Sequence, residues 1–173
     1  TKLLEQANVS FPEHLAYEDN YWGSLVHLYV KNMYVLDKIL YHYFINNNST
    51  VTQRNTLHQL DRLQIEVLKV EEYKKRGAFK LFYKELEREF VKLFYLNTMF
   101  IIFTRFDVIP DVFNYMKQIL LHYFPTYKDN SIMQQCNARE KQLLRLLEID
   151  RDLSISELEK IREVYLESFN NEK

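Results

Sequence analysis

Apolar residues in this chain return at spacings of three and four, and no stretch alternates convincingly with a period of two. The pattern predicts helices throughout. From Tyr21 to Ile45 apolar side chains occupy most of a helical circumference: Trp22, Leu25, Val26, Tyr29, Met33, Leu36, Leu40 and Phe44. A helix apolar nearly all round is a central one. Ser10 and Glu13 have capping-box spacing with Pro12 in the first turn, and Asp19 and Asn20 offer a second start. Asn46 to Thr50 is a polar break. The next helix is predicted from about Thr52 to Arg76, burying Leu57, Leu60, Leu63 and Val67. Lys74, Lys75 and Arg76 suit its negative C-terminal end, and Gly77 supplies the left-handed residue that follows such an end.

A further helix is predicted from Ala78 to about Phe106. Its first half is amphipathic through Phe79, Phe82, Leu86 and Phe90, and its second half is almost wholly apolar. Leu93, Leu96, Phe100 and Phe103 are therefore expected to be nearly fully buried. The uncharged stretch Leu93 to Thr104, bounded by Lys92 and Arg105, is too short for a membrane span, which needs about 20 residues. Asp107 and Pro110 restart the chain for a helix to Phe124, which Pro125 stops. Asp129, Asn130 and Ser131 cap another, ending near Ile149. Ser154 and Glu157 form a last capping box, before a helix that turns Leu158, Ile161, Tyr165 and Phe169 inward. Ile39 to Phe44 echoes Ile119 to Phe124, which we read as coincidence in a chain rich in Leu, Tyr and Asn.

Composition narrows the architecture. The 173 residues contain 2 Gly and 3 Pro beside 13 Tyr and 12 Phe. Average usage would supply roughly a dozen Gly. Hairpin turns and phosphate-binding loops draw on Gly, so its scarcity leaves long helices joined by short polar loops. The expectation is an all-α fold: one domain over residues 1–173 with six to seven helices, in long antiparallel hairpins around a central apolar helix. The chain begins at Thr1, and we expect it to be a fragment of a longer protein.

Charge and cysteine usage bear on partners and setting. The net charge is −1, against gross electrostatic capture of nucleic acid or membrane. The lone Cys136 has no internal partner, so the setting is read as reducing, cytoplasmic or nuclear. Two glycosylation-like triplets, at Asn8 and Asn48, are short enough to arise by chance.

Candidate chemistry is sparse. Arg54 and His58 come one residue short of the Arg-to-His spacing of helical RNases. Asp150, Asp152, Ser154 and Ser156 alternate oxygens as a calcium loop does, but Ile155 and Ile161 stand where that loop needs Gly and Glu. The histidines, at 14, 27, 42, 58 and 122, form no metal-binding pair, and His42 and His122 read as buried core residues. Cys136 reads as a small core residue. No catalytic residue, cofactor or metal site is assigned, and the expectation is a non-enzymatic module that binds other proteins within an assembly. Tyr17, Tyr21 and Trp22 are its candidate interface, because Tyr and Trp join large area to a polar tip. The alternative is nucleic-acid binding through Lys74, Lys75, Arg76, Lys80, Lys84 and Arg88, with Phe79 and Tyr83 as stacking surfaces. That row runs on to Lys92, spirals around the helix, and is interleaved with Glu85, Glu87 and Glu89. A helical hydrolase or nuclease is the third reading.

Overall fold

Helices make up all the regular structure in the computed structural model, which describes residues 2–42, 44 and 55–170. The chain is all-α, and it packs as two compact units, residues 1–77 and 78–173.

The first unit holds α1 (Lys2–Ala7), α2 (Glu18–His27) and α3 (Asp61–Lys75), with a 3-10 turn at Leu57–Leu60 leading into α3. Helices α2 and α3 lie side by side and run the same way. The Tyr17 hydroxyl donates to Gln59 at 2.9 Å, and the Tyr73 hydroxyl donates to the Ser24 carbonyl at 3.2 Å. The apolar face of α3 buries Leu63, Ile65 and Val70, and a Glu66–Lys69 ion pair at 3.0 Å is buried with them. The helix stops where the sequence says it should: Gly77 is left-handed, φ 70°, and its amide bonds the Lys74 carbonyl.

The capping box expected at Ser10 and Glu13 does not open a helix. Residues 8–17 form turns, with left-handed backbone at Asn8, His14 and Tyr17. The Asp61 carboxylate accepts from the Ala16 amide at 2.9 Å, so a contact from α3 fixes where α2 begins. The helix expected over Tyr21 to Ile45 ends at His27, and residues 28–42 and 44 are neither helical nor buried as a core helix would be. Two causes combine. Val30, Asn32, Tyr34, Val35, Asp37, Ile39, Tyr41 and His42 are middling or poor helix formers. A helix also draws most of its stability from tertiary packing, and beyond Tyr29 the residues of this stretch are exposed or only half-buried. His42 is exposed rather than buried. Residues 52–54, expected to begin the next helix, lie outside the described residues.

The second unit is built on one continuous helical stretch: α4 (Tyr83–Glu89), a π-helical segment (Phe90–Asn97) and α5 (Thr98–Arg105). Three more helices pack on it: α6 (Pro110–Tyr123), α8 (Ala138–Leu146) and α9 (Ile155–Asn170); the short α7 (Ile132–Gln135) precedes α8. Rings fix the antiparallel pairing with α6, since Phe90 meets Tyr123 and Phe124 while Phe94 meets Tyr115. Helix α9 is antiparallel too: Phe103 packs on Tyr165, and Arg162 donates to the Phe103 carbonyl at 2.8 Å. The Tyr95 hydroxyl donates to the Leu143 carbonyl of α8 at 2.8 Å, and burial raises its pKa well above the ordinary tyrosine value.

Wider π turns were not legible in the sequence. They bring Phe90, Val91, Phe94, Tyr95 and Met99 into the core, and the Thr98 hydroxyl donates five residues back, to the Leu93 carbonyl. The same geometry corrects the expected burial. Leu96 and Phe103 are buried, but Leu93 is 36 % exposed and Phe100 is only half-buried. His122, expected in the core, is exposed, while Cys136 is buried as expected.

Pro110 occupies the first turn of α6. Asn130 accepts from the Ile132 amide at the start of α7. The helix expected to run on to Ile149 is interrupted after Gln135, and Asn137 and Glu140 form a reciprocal capping box that starts α8. The Ser154–Glu157 box forms as expected, with the Ser154 amide donating to Glu157 at 2.9 Å.

Candidate interaction surfaces

The candidate interface of Tyr17, Tyr21 and Trp22 lies on and just before α2, and all three side chains are half-buried. The Arg62 guanidinium sits 4.3 Å from the centre of the Tyr17 ring, whose hydroxyl is already bonded to Gln59. Trp22 stacks on Phe11 with ring centres 5.3 Å apart. The pKa of Tyr21 is raised by burial and by the nearby Glu72 carboxylate. Tyr17 and Trp22 are thus engaged in the packing of their own unit.

The six cations of the basic row divide between the two units. In the first, Lys74 pairs with Glu71 at 3.1 Å and Lys75 with Glu72 at 3.3 Å. Arg76 is a clamp: it pairs with Glu72 at 3.0 Å, donates to the Ala7 and Asn8 carbonyls, and donates to the Tyr29 hydroxyl. The guanidinium thus ties the ends of α1, α2 and α3 together. In the second unit Lys84 pairs with Glu87 at 3.3 Å, while Lys80 and Arg88 are exposed. Each carboxylate partner reduces the positive potential that a phosphate would meet.

Glu87 itself is fully buried and fully bonded. The Thr126 hydroxyl donates to one of its oxygens at 3.0 Å, and the Asn130 amide donates to the other at 2.8 Å. This polar knot pins the loop after α6 to α4.

Constellations weighed for chemistry resolve into structural contacts. His58 bonds Asp61 at 3.0 Å, the carboxylate that holds the Ala16 amide; Arg54 lies outside the described residues. In the Asp150–Ser156 loop, Arg151 pairs with Glu157, whose pKa is lowered to about 2 by that hydrogen bond and by those from Ser154. Among the described residues no group of three or more His, Cys, Asp or Glu is placed to hold a metal ion. Burial, and then Glu140, push the Cys136 thiol up, away from a reactive thiolate. A groove of about 390 Å³ runs between the central stretch, α8 and α9. Burial pushes Glu140 on its rim upward, but hydrogen bonds from Lys92 at 2.9 Å and from the Asn137 amide outweigh it and hold this carboxylate below its ordinary range. It is thereby occupied rather than poised as a base.

The surface that reading the sequence missed is the segment after α2. Met33, Tyr34, Val35, Leu36, Ile39, Leu40, Tyr41 and Phe44 are between 49 and 88 % exposed. Isolated apolar residues on a surface are ordinary, whereas a run of eight large ones in one segment is not. The signal was present as a helix apolar all round; what it could not say is whether the chain itself covers that helix.

Among the described residues, no helix is long and apolar enough to cross a membrane. The chain matches no family model, no curated protein and no solved structure.

Proposed function

We propose that this chain is a non-enzymatic, all-helical module that binds other proteins, and that residues 30–42 with Phe44 are its principal docking element. The single observation that carries the reading is the exposure of eight large apolar side chains in that one segment. Covering them supplies the hydrophobic gain that protein association uses, about 25 cal/mol per Å² of apolar surface. The aromatic and methionine content of the segment is that of interface centres. The engagement of His58 with Asp61, of Glu140 with Lys92 and of Glu157 with Arg151 fits a binding role.

The test compares partners recovered with the parent protein and with its Met33→Ser/Leu36→Ser/Leu40→Ser variant, each with and without nuclease. The proposal expects partners that survive nuclease and are lost with the variant, at unchanged thermal stability. Identical recovery from both proteins would refute it.

Nucleic-acid binding remains the second reading, supported by the exposed Lys80 and Arg88. It requires a steep salt dependence, since each neutralised phosphate releases counterions. It also requires loss of binding in Lys80→Glu/Lys84→Glu/Arg88→Glu. No retention of labelled RNA or DNA on filters at low salt removes it.

A further inference from the structure

We propose that residues 28–42 continue α2 as a helix that, with Phe44, pairs with the same segment of a second copy of this chain; this rests on the reading of that segment as the docking element. Trp22, Val26, Tyr29, Met33, Leu36 and Leu40 follow one another at steps of four and three, the spacing of a coiled-coil seam. The first half of this seam is already used within its unit: Val26 is buried, Trp22 stacks on Phe11 and Tyr29 bonds Arg76. The second half, Met33, Leu36 and Leu40, is exposed.

The same frame sorts the remaining side chains. Ile39 and Phe44 flank the seam, and Asp37 is the one charge beside it. Lys31, Lys38 and His42 fall on the outside with Val35 and with Tyr34 and Tyr41, whose hydroxyls stay in water. Apart from Val35, the outer face beyond Tyr29 carries charged or polar-tipped side chains, as a two-helix seam requires.

Among the described residues of its unit no helix lies beside the exposed half of the seam. Helices α2 and α3 run the same way, and Tyr29 already lies level with Arg76 at the end of α3. A helix continued to residue 44 at about 1.5 Å per residue extends roughly 25 Å further, with no element of residues 1–77 described alongside it.

Area and charge select a second copy as the occupant. Burying Met33, Leu36, Ile39, Leu40 and Phe44 from both chains removes roughly 1,000 Å², about the least that a specific interface needs. In a parallel pair Asp37 comes opposite Asn32 of the second copy, a neighbour that accommodates a carboxylate without repulsion. A helix of about 15 residues is marginal alone, which accounts for the unwound segment in the single chain. Pairing and helix formation are then one event.

Sedimentation equilibrium of the full 173-residue chain, from low to high micromolar concentration, tests this. The expected result is a mass rising from 21.2 kDa to twice that, with a parallel gain in far-UV helical signal. Leu36→Asp/Leu40→Asp should stay monomeric with an unchanged melting temperature, because both side chains are exposed in the single chain. Tyr34→Ser/Lys38→Glu, on the outside of the frame, should still pair. A wild-type chain that is monomeric throughout overturns the proposal, as does a dimer that survives Leu36→Asp/Leu40→Asp. Limited chymotrypsin cleavage then separates the two readings. A monomer cut within residues 33–44 keeps an uncovered docking segment for a different partner. A monomer resistant there covers the segment itself, and both readings fail.

Discussion

Asn130→Ala should destabilise the second unit far more than a surface amide normally does. Its side chain makes three bonds: the amide donates to Glu87 at 2.8 Å and to the Lys84 carbonyl at 3.0 Å, and its oxygen accepts from the Ile132 amide at 3.1 Å. The first is charge-assisted and is worth about 1.5–3 kcal/mol; each of the others contributes about 1 kcal/mol. Alanine also leaves Glu87, 0 % exposed, with one donor fewer where water does not reach it readily. Water admitted by the smaller side chain recovers some of this, so the expected cost is about 3–4 kcal/mol. Thr126→Ala removes a single bond to the same carboxylate and should cost about 1–2 kcal/mol. Urea denaturation followed by far-UV circular dichroism is the assay, because the only tryptophan, Trp22, lies in residues 1–77 and reports on the first unit. A loss below about 1 kcal/mol for Asn130→Ala would refute the account of Glu87 as a carboxylate held in the core by the loop after α6.

Three further outcomes follow from the same structure. Phe103→Ala should cost about 3–5 kcal/mol, and Phe100→Ala less than half of that, because Phe103 is fully buried and Phe100 is not; equal losses in thermal denaturation would contradict the packing of α5. Gly77→Ala should cost about 1 kcal/mol through its φ of 70° alone, since a Cβ there meets nothing within 4 Å; a neutral effect on melting temperature would mean the left-handed turn is not held. The Glu157 carboxyl, held down to about 2 by Arg151 and Ser154, is a depressed carboxylate, so its contribution is complete above the unfolded value of about 4.5 and fades as pH falls toward 2. Its NMR titration should show that low midpoint, and Arg151→Ala should raise it; an ordinary midpoint in the native chain would dismiss the Arg151 contact.

Local rules were legible at several features that depend on a few neighbouring residues, though not at Ser10 and Glu13. Pro110 at the start of α6, Gly77 after α3 and the Ser154–Glu157 box all form, because each needs only its own backbone and one nearby side chain. The Asn137–Glu140 box was equally readable, but it was hidden inside a helix taken to run unbroken to Ile149. Features set by tertiary contacts were not legible. The start of α2 depends on Asp61, 45 residues away, and the exposure of Leu93 and Phe100 depends on how the π turns rotate the central stretch against α8 and α9. The segment after α2 was misjudged for the same reason. Apolar periodicity from Tyr21 to Ile45 states that the helix wants covering, not which molecule provides it.

Hydrogen exchange across residues 28–42 of the dilute chain tests the central claim most directly. Exposed, non-helical backbone in that segment predicts amides that exchange almost as fast as those of an unfolded peptide, while Ile65 to Tyr73 and Phe90 to Phe103 stay protected. Protection of residues 28–42 equal to that of α3, at a concentration where the chain is monomeric, would show the segment covered by its own chain and would contradict its role as a docking element.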